Sequence, residues 1–152
     1  MTPKLPVSVL VVVHTRALDV LLLERAARPG YWQSVTGSVE RPDEPLDQAA
    51  VREVREETGI KARRETLQRW NLTYTFEIYA EWRHRFAAGT THNTESVFSL
   101  ELPARVPVTL ADDEHVASVW LPWRAAAAQC FSWSNRDAIL LLGDRRLGLG
   151  LQ

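Results

Sequence analysis

From Val7 to Val13 the chain reads VSVLVVV, a nearly unbroken β-branched run. A strand with one wet face alternates apolar and polar residues. A run without that alternation reads as a central strand, buried on both faces. The run is too short to span a bilayer. The start, MTPKLPVSVLVVV, also lacks the charged opening and small-residue cleavage site of an export signal. A buried strand is expected here.

Val20 to Leu23 is a second apolar run, and His14 to Asp19 between them is short enough for a hairpin, though without a glycine turn. Tyr31 to Val39 reads as irregular strand and loop. Pro42 and Pro45 bracket an acidic turn. From there to Thr58 the sequence favours helix, with Gly59 where a stop is expected. Leu46, Ala50 and Val54 recur every four residues and face the core. Arg69 to Arg85 suits one or two strands, and Val97 to Leu102 and Val116 to Leu121 suit further ones. Trp123 to Gln129 is a short helix after Pro122. Ser134 or Asn135 caps a final helix through Leu142, and the segment from Gly143 to Gln152 is expected to fray. Strands interleaved with helices imply a mixed α/β sheet covered by helices, as one domain over residues 1–152.

Composition narrows the function classes. The chain has 152 residues, 45% apolar and 24% charged, enough for a core without staples. A net charge of −1 gives no basic excess for nucleic acid, and nothing points to a membrane. Lys4 and Lys61 are the only lysines, so the positive charge is almost all Arg, which grips phosphate bidentately. The single cysteine, Cys130, excludes an intramolecular disulfide and a thiolate cluster, and fits a reducing compartment. Oligomeric state is not legible.

The chemistry lies in Arg52-Glu53-Val54-Arg55-Glu56-Glu57-Thr58-Gly59-Ile60. On a helix, Glu53, Glu56 and Glu57 share one face, with Cβ atoms about 5–6 Å apart. Like charges at that spacing oppose helix formation, and they sit near the negative end of the dipole. A hard divalent cation resolves both problems. Mg²⁺ takes oxygen ligands and keeps water and phosphate sites open. Taken alone, the three acids fit a solvated face neutralised by Arg52 and Arg55. Context favours the metal: Gly37, a loop and Glu44 precede the run.

This stretch resembles the Nudix box: Gly, five residues, Glu, seven residues, then Arg-Glu-apolar-any-Glu-Glu-any-Gly-apolar. Glu44, Arg52, Glu53, Val54, Glu56, Glu57, Gly59 and Ile60 match. Six residues rather than five separate Gly37 from Glu44, which places one inserted residue in the Arg41-Pro42-Asp43 loop. The resemblance implies a Nudix α/β/α sandwich and hydrolysis of a nucleoside-diphosphate-like compound by water attacking phosphorus. It implies Mg²⁺ (with Mn²⁺ as a substitute) on Glu53 and Glu57, with Glu56 beside them. Arg52 would orient the glutamates, and Gly37 would let the backbone turn beneath the metal. Glu114, in the run DDEH, is a further acid that would complete the metal site or act as base.

Trp32 to Ser38, Arg83 to Phe86, Asn93 to Ser96 and Ser132 to Arg136 together resemble the branch of that family that hydrolyses dihydroneopterin triphosphate in folate synthesis. This implies a monophosphate and pyrophosphate as products, in the cytoplasm. Lys4, Arg25, Thr36 and Ser132 match that branch's substrate contacts. A flat ring needs stacking and edge contacts, which Phe76, Glu77, Ile78, Tyr79 and Trp133 would supply. Core packing explains part of this strand as well, and Trp32 would pack beneath the box loop. A solvated sheet edge explains Arg83 and Arg85, and a turn explains Asn93 to Ser96. His84, His92 and His115 lack ligand spacing, and His14 needs no role. Three other readings fit the residues: a hydrolase of dATP or another nucleoside triphosphate, a noncatalytic binding module on the same fold, and a structural acidic helix without metal.

Overall fold

The computed structural model describes residues 2–147. Its centre is β1 (Val7–Thr15). Val9 to Val13 are all buried, as the β-branched run demands. One edge of β1 pairs in parallel with β6 (His92–Leu102) along its whole length. The other edge is shared. Ser8 to Val11 pair antiparallel with β4 (Val35–Ser38), and His14 pairs with Val20 of β2 (Asp19–Arg25). The sheet therefore forks. Beyond β6 lies β5 (Leu67–Glu77); β2 carries β3 (Trp32–Gln33) and β7 (His115–Pro122).

Helix α1 (Leu46–Thr58) covers one face of the sheet, laying Ala49, Ala50 and Val54 on Val9, Val11, Leu23 and Phe98. Helices α2 (Trp123–Gln129) and α3 (Trp133–Leu147) cover the other, packing Trp123, Ala138 and Ile139 on Leu10, Val12, Leu22 and Val97. The expected α/β/α sandwich is the observed one. The hairpin between β1 and β2 turns through Leu18 at φ 66°, which replaces the missing glycine.

Four local expectations are corrected. Only the first part of Arg69 to Arg85 is strand; Ala80–Arg85 is a 3-10 helix, so Arg83 and Arg85 do not share a strand face. Asn93 to Ser96 is strand rather than turn, because backbone pairing with β1 and β5 outweighs its polar side chains. The last helix starts one residue before Ser134 and continues to Leu147, with Gly143 buried against the Trp123 indole. Residues 143–147 are thus helical, and the rest of the expected frayed tail, 148–152, lies outside the described residues. Trp32 packs with the α2–α3 core rather than beneath the loop before α1.

Candidate active site

Helix α1 begins at Pro45, whose fixed φ suits a helix entry. It ends at Gly59, which takes φ 76° and donates its N–H to Arg55 O. Between them, the i and i+4 spacing of Glu53 and Glu57 sends both carboxylates inward toward β4. Glu53 is 8% exposed and Glu57 only 1%. Gly37 makes room for them: a Cβ at this position would collide with the Glu53 carboxylate. Its role is close approach rather than an unusual φ.

Two acids buried this deeply are costly unless paired. Glu53 and Glu57 act on each other at close range, and both carboxyls are held above the usual carboxylate range. Burial is the largest cause raising both, and for Glu57 the hydrogen bond to Glu53 and the charges of Glu53 and Glu114 add to it. Glu57 Oε1 is buried with no hydrogen-bond partner. A divalent cation fits this arrangement: it would neutralise the pair and supply the missing partner. Among the described residues no three acidic, histidine or cysteine groups stand gathered around one point. Glu56 is exposed beside Arg52.

Arg52 ties the segment together. It donates to Glu53 Oε1 (2.7 Å), to both oxygens of Glu44 (3.0 Å each) and to Ser38 O (3.2 Å). Glu44 also accepts the Glu40 N–H, and these donors hold its carboxyl below the usual range, the Arg52 hydrogen bonds foremost. Glu44 is therefore the buried acid that meets Arg52. Asp43 stays on the surface, pairing with Arg41. The inserted residue is absorbed in the exposed turn, and the frame after it is undisturbed.

A cationic wall faces these acids. Lys4 donates its backbone N–H to Arg85 O, and its ammonium lies in the field of Arg85, Arg25, Glu114 and Glu53. Burial first, then Arg85 and Arg25, lower the Lys4 pKa; burial and Arg85 lower that of Arg25. Arg25 lies 4.6 Å over the Trp82 ring and donates to Gln33 Oε1 (3.3 Å). Gln33 Nε2 donates to Thr36 Oγ1 (3.3 Å) and sits 3.4 Å from His115 Nε2. His115 Nε2 is in turn 3.9 Å from Glu57 Oε1. Burial, helped by Arg25, pushes His115 down to about 4, so its ring is neutral near neutrality. Sequence spacing left His115 without a role. The signal that finds it is register, since β7 places it opposite Arg25.

The remaining predicted residues fall into two groups. In β5, Phe76 stands opposite Asn93 and Tyr74 opposite Glu95, on the face covered by α3. Trp133, 47% exposed, packs edge-on against Tyr74 (5.2 Å between centroids), and Ser132 shares a hydrogen bond with Ser134 (3.0 Å). These lie together at the junction of β5, β6 and the start of α3. Glu77 instead pairs with Arg83, Ile78 is buried, and Tyr79 packs against Trp82 and Phe131. Trp82, Phe131 and Tyr31 form an aromatic patch beside Arg25 and Arg28 that the sequence did not reveal.

Comparison with known proteins gives a consistent picture. The NUDIX domain family model matches residues 4–142. Over 139 residues the chain is 49% identical to dihydroneopterin triphosphate diphosphatase of Escherichia coli K12, covering 90% of this chain and 91% of that protein. It is 35% identical over 136 residues to the Haemophilus influenzae protein of the same name, covering 87% and 84%. The solved structure of the E. coli dihydroneopterin triphosphate pyrophosphohydrolase superposes with a TM-score of 0.86 at 46% identity, covering 93% and 97%.

Proposed function

Given that the chain belongs to the Nudix hydrolase family, we propose that it hydrolyses dihydroneopterin triphosphate to dihydroneopterin monophosphate and pyrophosphate. The observation that carries the substrate is the 49% identity, over nine-tenths of both chains, to a dihydroneopterin triphosphate diphosphatase. The family uses divalent cations, and in this reading Mg²⁺ (or Mn²⁺ in its place) is held by Glu53 and Glu57, with Glu56 and Glu114 completing the set. The cation would neutralise phosphate charge and acidify water.

The chain's own residues supply positioning. Arg52 fixes the rotamer of Glu53 and locks the loop through Glu44 and Ser38. Lys4 and Arg25 carry charge complementary to the triphosphate on the opposite wall, and Thr36 is held beside them through Gln33. Glu114 is exposed and lies in the field of Lys4; in this reading it would complete the metal set or take the proton from the attacking water. Trp133 and Phe76 would stack on or flank the ring, with Ser132, Glu77, Ile78 and Tyr79 around it. The partner is a small molecule, and cytoplasmic folate synthesis is the setting this reading implies.

The test is a substrate panel with Mg²⁺, comparing dihydroneopterin triphosphate with the four deoxynucleoside triphosphates and scoring pyrophosphate against phosphate. Preference for the pterin with pyrophosphate release is expected. Preference for a deoxynucleotide would overturn the substrate and keep the chemistry.

A further inference from the structure

A further buried acid lies on the other face of the sheet from the α1 carboxylates. Glu95 of β6 is 4% exposed. Its backbone pairs with Ser8 on one side and Tyr74 on the other, so the three side chains form a row beneath the start of α3. The donor to its carboxyl is Ser134 Oγ at 3.0 Å, and among the described residues no cation acts on it. Burial pushes the carboxyl up to about 7. One row along, Asn93 is 6% exposed, opposite Phe76. Asn93 donates Nδ2 to Ser8 Oγ (2.8 Å), while its Oδ1 is buried with no partner. This stretch of β6 thus carries a carboxyl and an amide oxygen, both short of N–H donors. Trp133 packs on Tyr74 beside Glu95, and Phe76 stands opposite Asn93.

Buried acceptors left short of donors are expensive within a fold. A ligand that brings N–H groups on a flat edge removes that cost. The two oxygens of a carboxylate match two parallel N–H donors. A 2-amino-4-oxopyrimidine ring presents such a pair: the ring N–H and one hydrogen of the neighbouring amino group. We infer that Glu95 is the specificity-determining residue for the ring, its carboxylate accepting this donor pair while Asn93 Oδ1 takes a further N–H and Trp133 covers the ring face. This rests on the pterin reading above but reaches past it, because guanine carries the same donor pair. Adenine does not: its amino group donates while the adjacent ring nitrogen accepts.

Glu95→Gln separates these edges. The amide keeps the shape but offers one acceptor and one donor. That mismatches the pterin and guanine edge and suits adenine. The measurement is kcat and KM of wild type and Glu95→Gln on dihydroneopterin triphosphate, dGTP and dATP. The pterin-to-dATP and dGTP-to-dATP ratios of kcat/KM are expected to fall roughly 10–100-fold, carried by KM, in line with the discrimination of one bidentate edge contact. Equal change on all three substrates would make Glu95 structural and overturn the inference. Wild type failing on the pterin would overturn the function above, and the dGTP-to-dATP ratio would still decide this inference. If Glu95→Gln does not fold, wild type on dGTP against dITP, which lacks the amino group, reads the same contact. A loss of roughly tenfold for dITP is expected, and equal rates would overturn the assignment.

Discussion

At the scale of single residues, the site depends on how close two groups are allowed to come. The Glu53 carboxylate occupies the volume that a side chain at residue 37 would need. Gly37→Ala is therefore expected to leave the fold intact and displace Glu53, lowering kcat by at least about tenfold, as a displacement of about 1 Å at a reacting centre does. Steady-state rates with circular dichroism as a fold check decide it; unchanged kcat would mean Glu53 does not need its observed position. Glu57→Gln removes a carboxyl that burial and the neighbouring Glu53 already disfavour as a charge. The variant should fold as well as wild type without metal. Its turnover should fall at least about a hundredfold, the loss of a few kcal/mol of charge stabilisation. A near-normal rate would remove Glu57 from the metal site.

At the scale of elements, α3 is tied to the strand junction by a contact that also explains a sequence misreading. Ser134 and Asn135 look like helix caps, but both are buried and serve other elements. Asn135 Oδ1 accepts the Ser34 N–H (2.9 Å), and Ser134 serves Glu95. Asn135→Ala should strand that buried N–H and cost about 1–3 kcal/mol in urea unfolding, with an unchanged m-value. A loss well under that would mean water replaces the amide. The elements legible in the sequence were those with a core pattern: β1 by its nearly unbroken β-branched run, α1 by its four-residue repeat and its Gly59 stop. Those missed have side chains turned to a site. Asn93 and Glu95 interrupt the apolar pattern of β6, and their side chains meet Ser8 and Ser134 on the α3 face. Residues 80–85 carry aromatics that mimic a strand, yet Trp82 packs against Tyr79, Phe131 and Arg25 from a 3-10 turn. The acids of α1 were legible because helical spacing is local. His115 was not, because only β2–β7 register brings it to Glu57.

At the scale of the molecule, buried acids set how stability follows pH. A carboxyl raised by folding binds its proton more tightly folded than unfolded. Its contribution is full below the unfolded pKa and is lost as pH rises through the folded one. For Glu95 the window runs from 4.5 to about 7. At about 1.4 kcal/mol per tenfold change in proton concentration, it is worth at most ~3 kcal/mol. Glu95→Gln should flatten the fall in unfolding free energy between about pH 5 and pH 8; an unchanged slope would place the titration elsewhere. Glu53 and Glu57 shift the same way, and a cation binding there reverses the sign. Adding Mg²⁺ to about a hundred times its Kd should raise stability by ~3 kcal/mol, more at about pH 8 than at pH 5. A thermal melt that ignores Mg²⁺ would leave the acidic helix merely structural.

The contact between residue 37 and Glu53 also changes how variation at either position should be read. No positive φ holds residue 37 to glycine; a neighbour brought in from α1 does. The two positions therefore carry a single constraint written twice along the chain. A side chain can enter at 37 only where the Glu53 carboxylate has moved aside or residue 53 has shortened, and in either case that carboxylate has left its observed position. Among descendants of this scaffold, an occupied position 37 would thus mark chains that have lost this arrangement of the α1 acids, and it would do so before any glutamate of the α1 run is inspected.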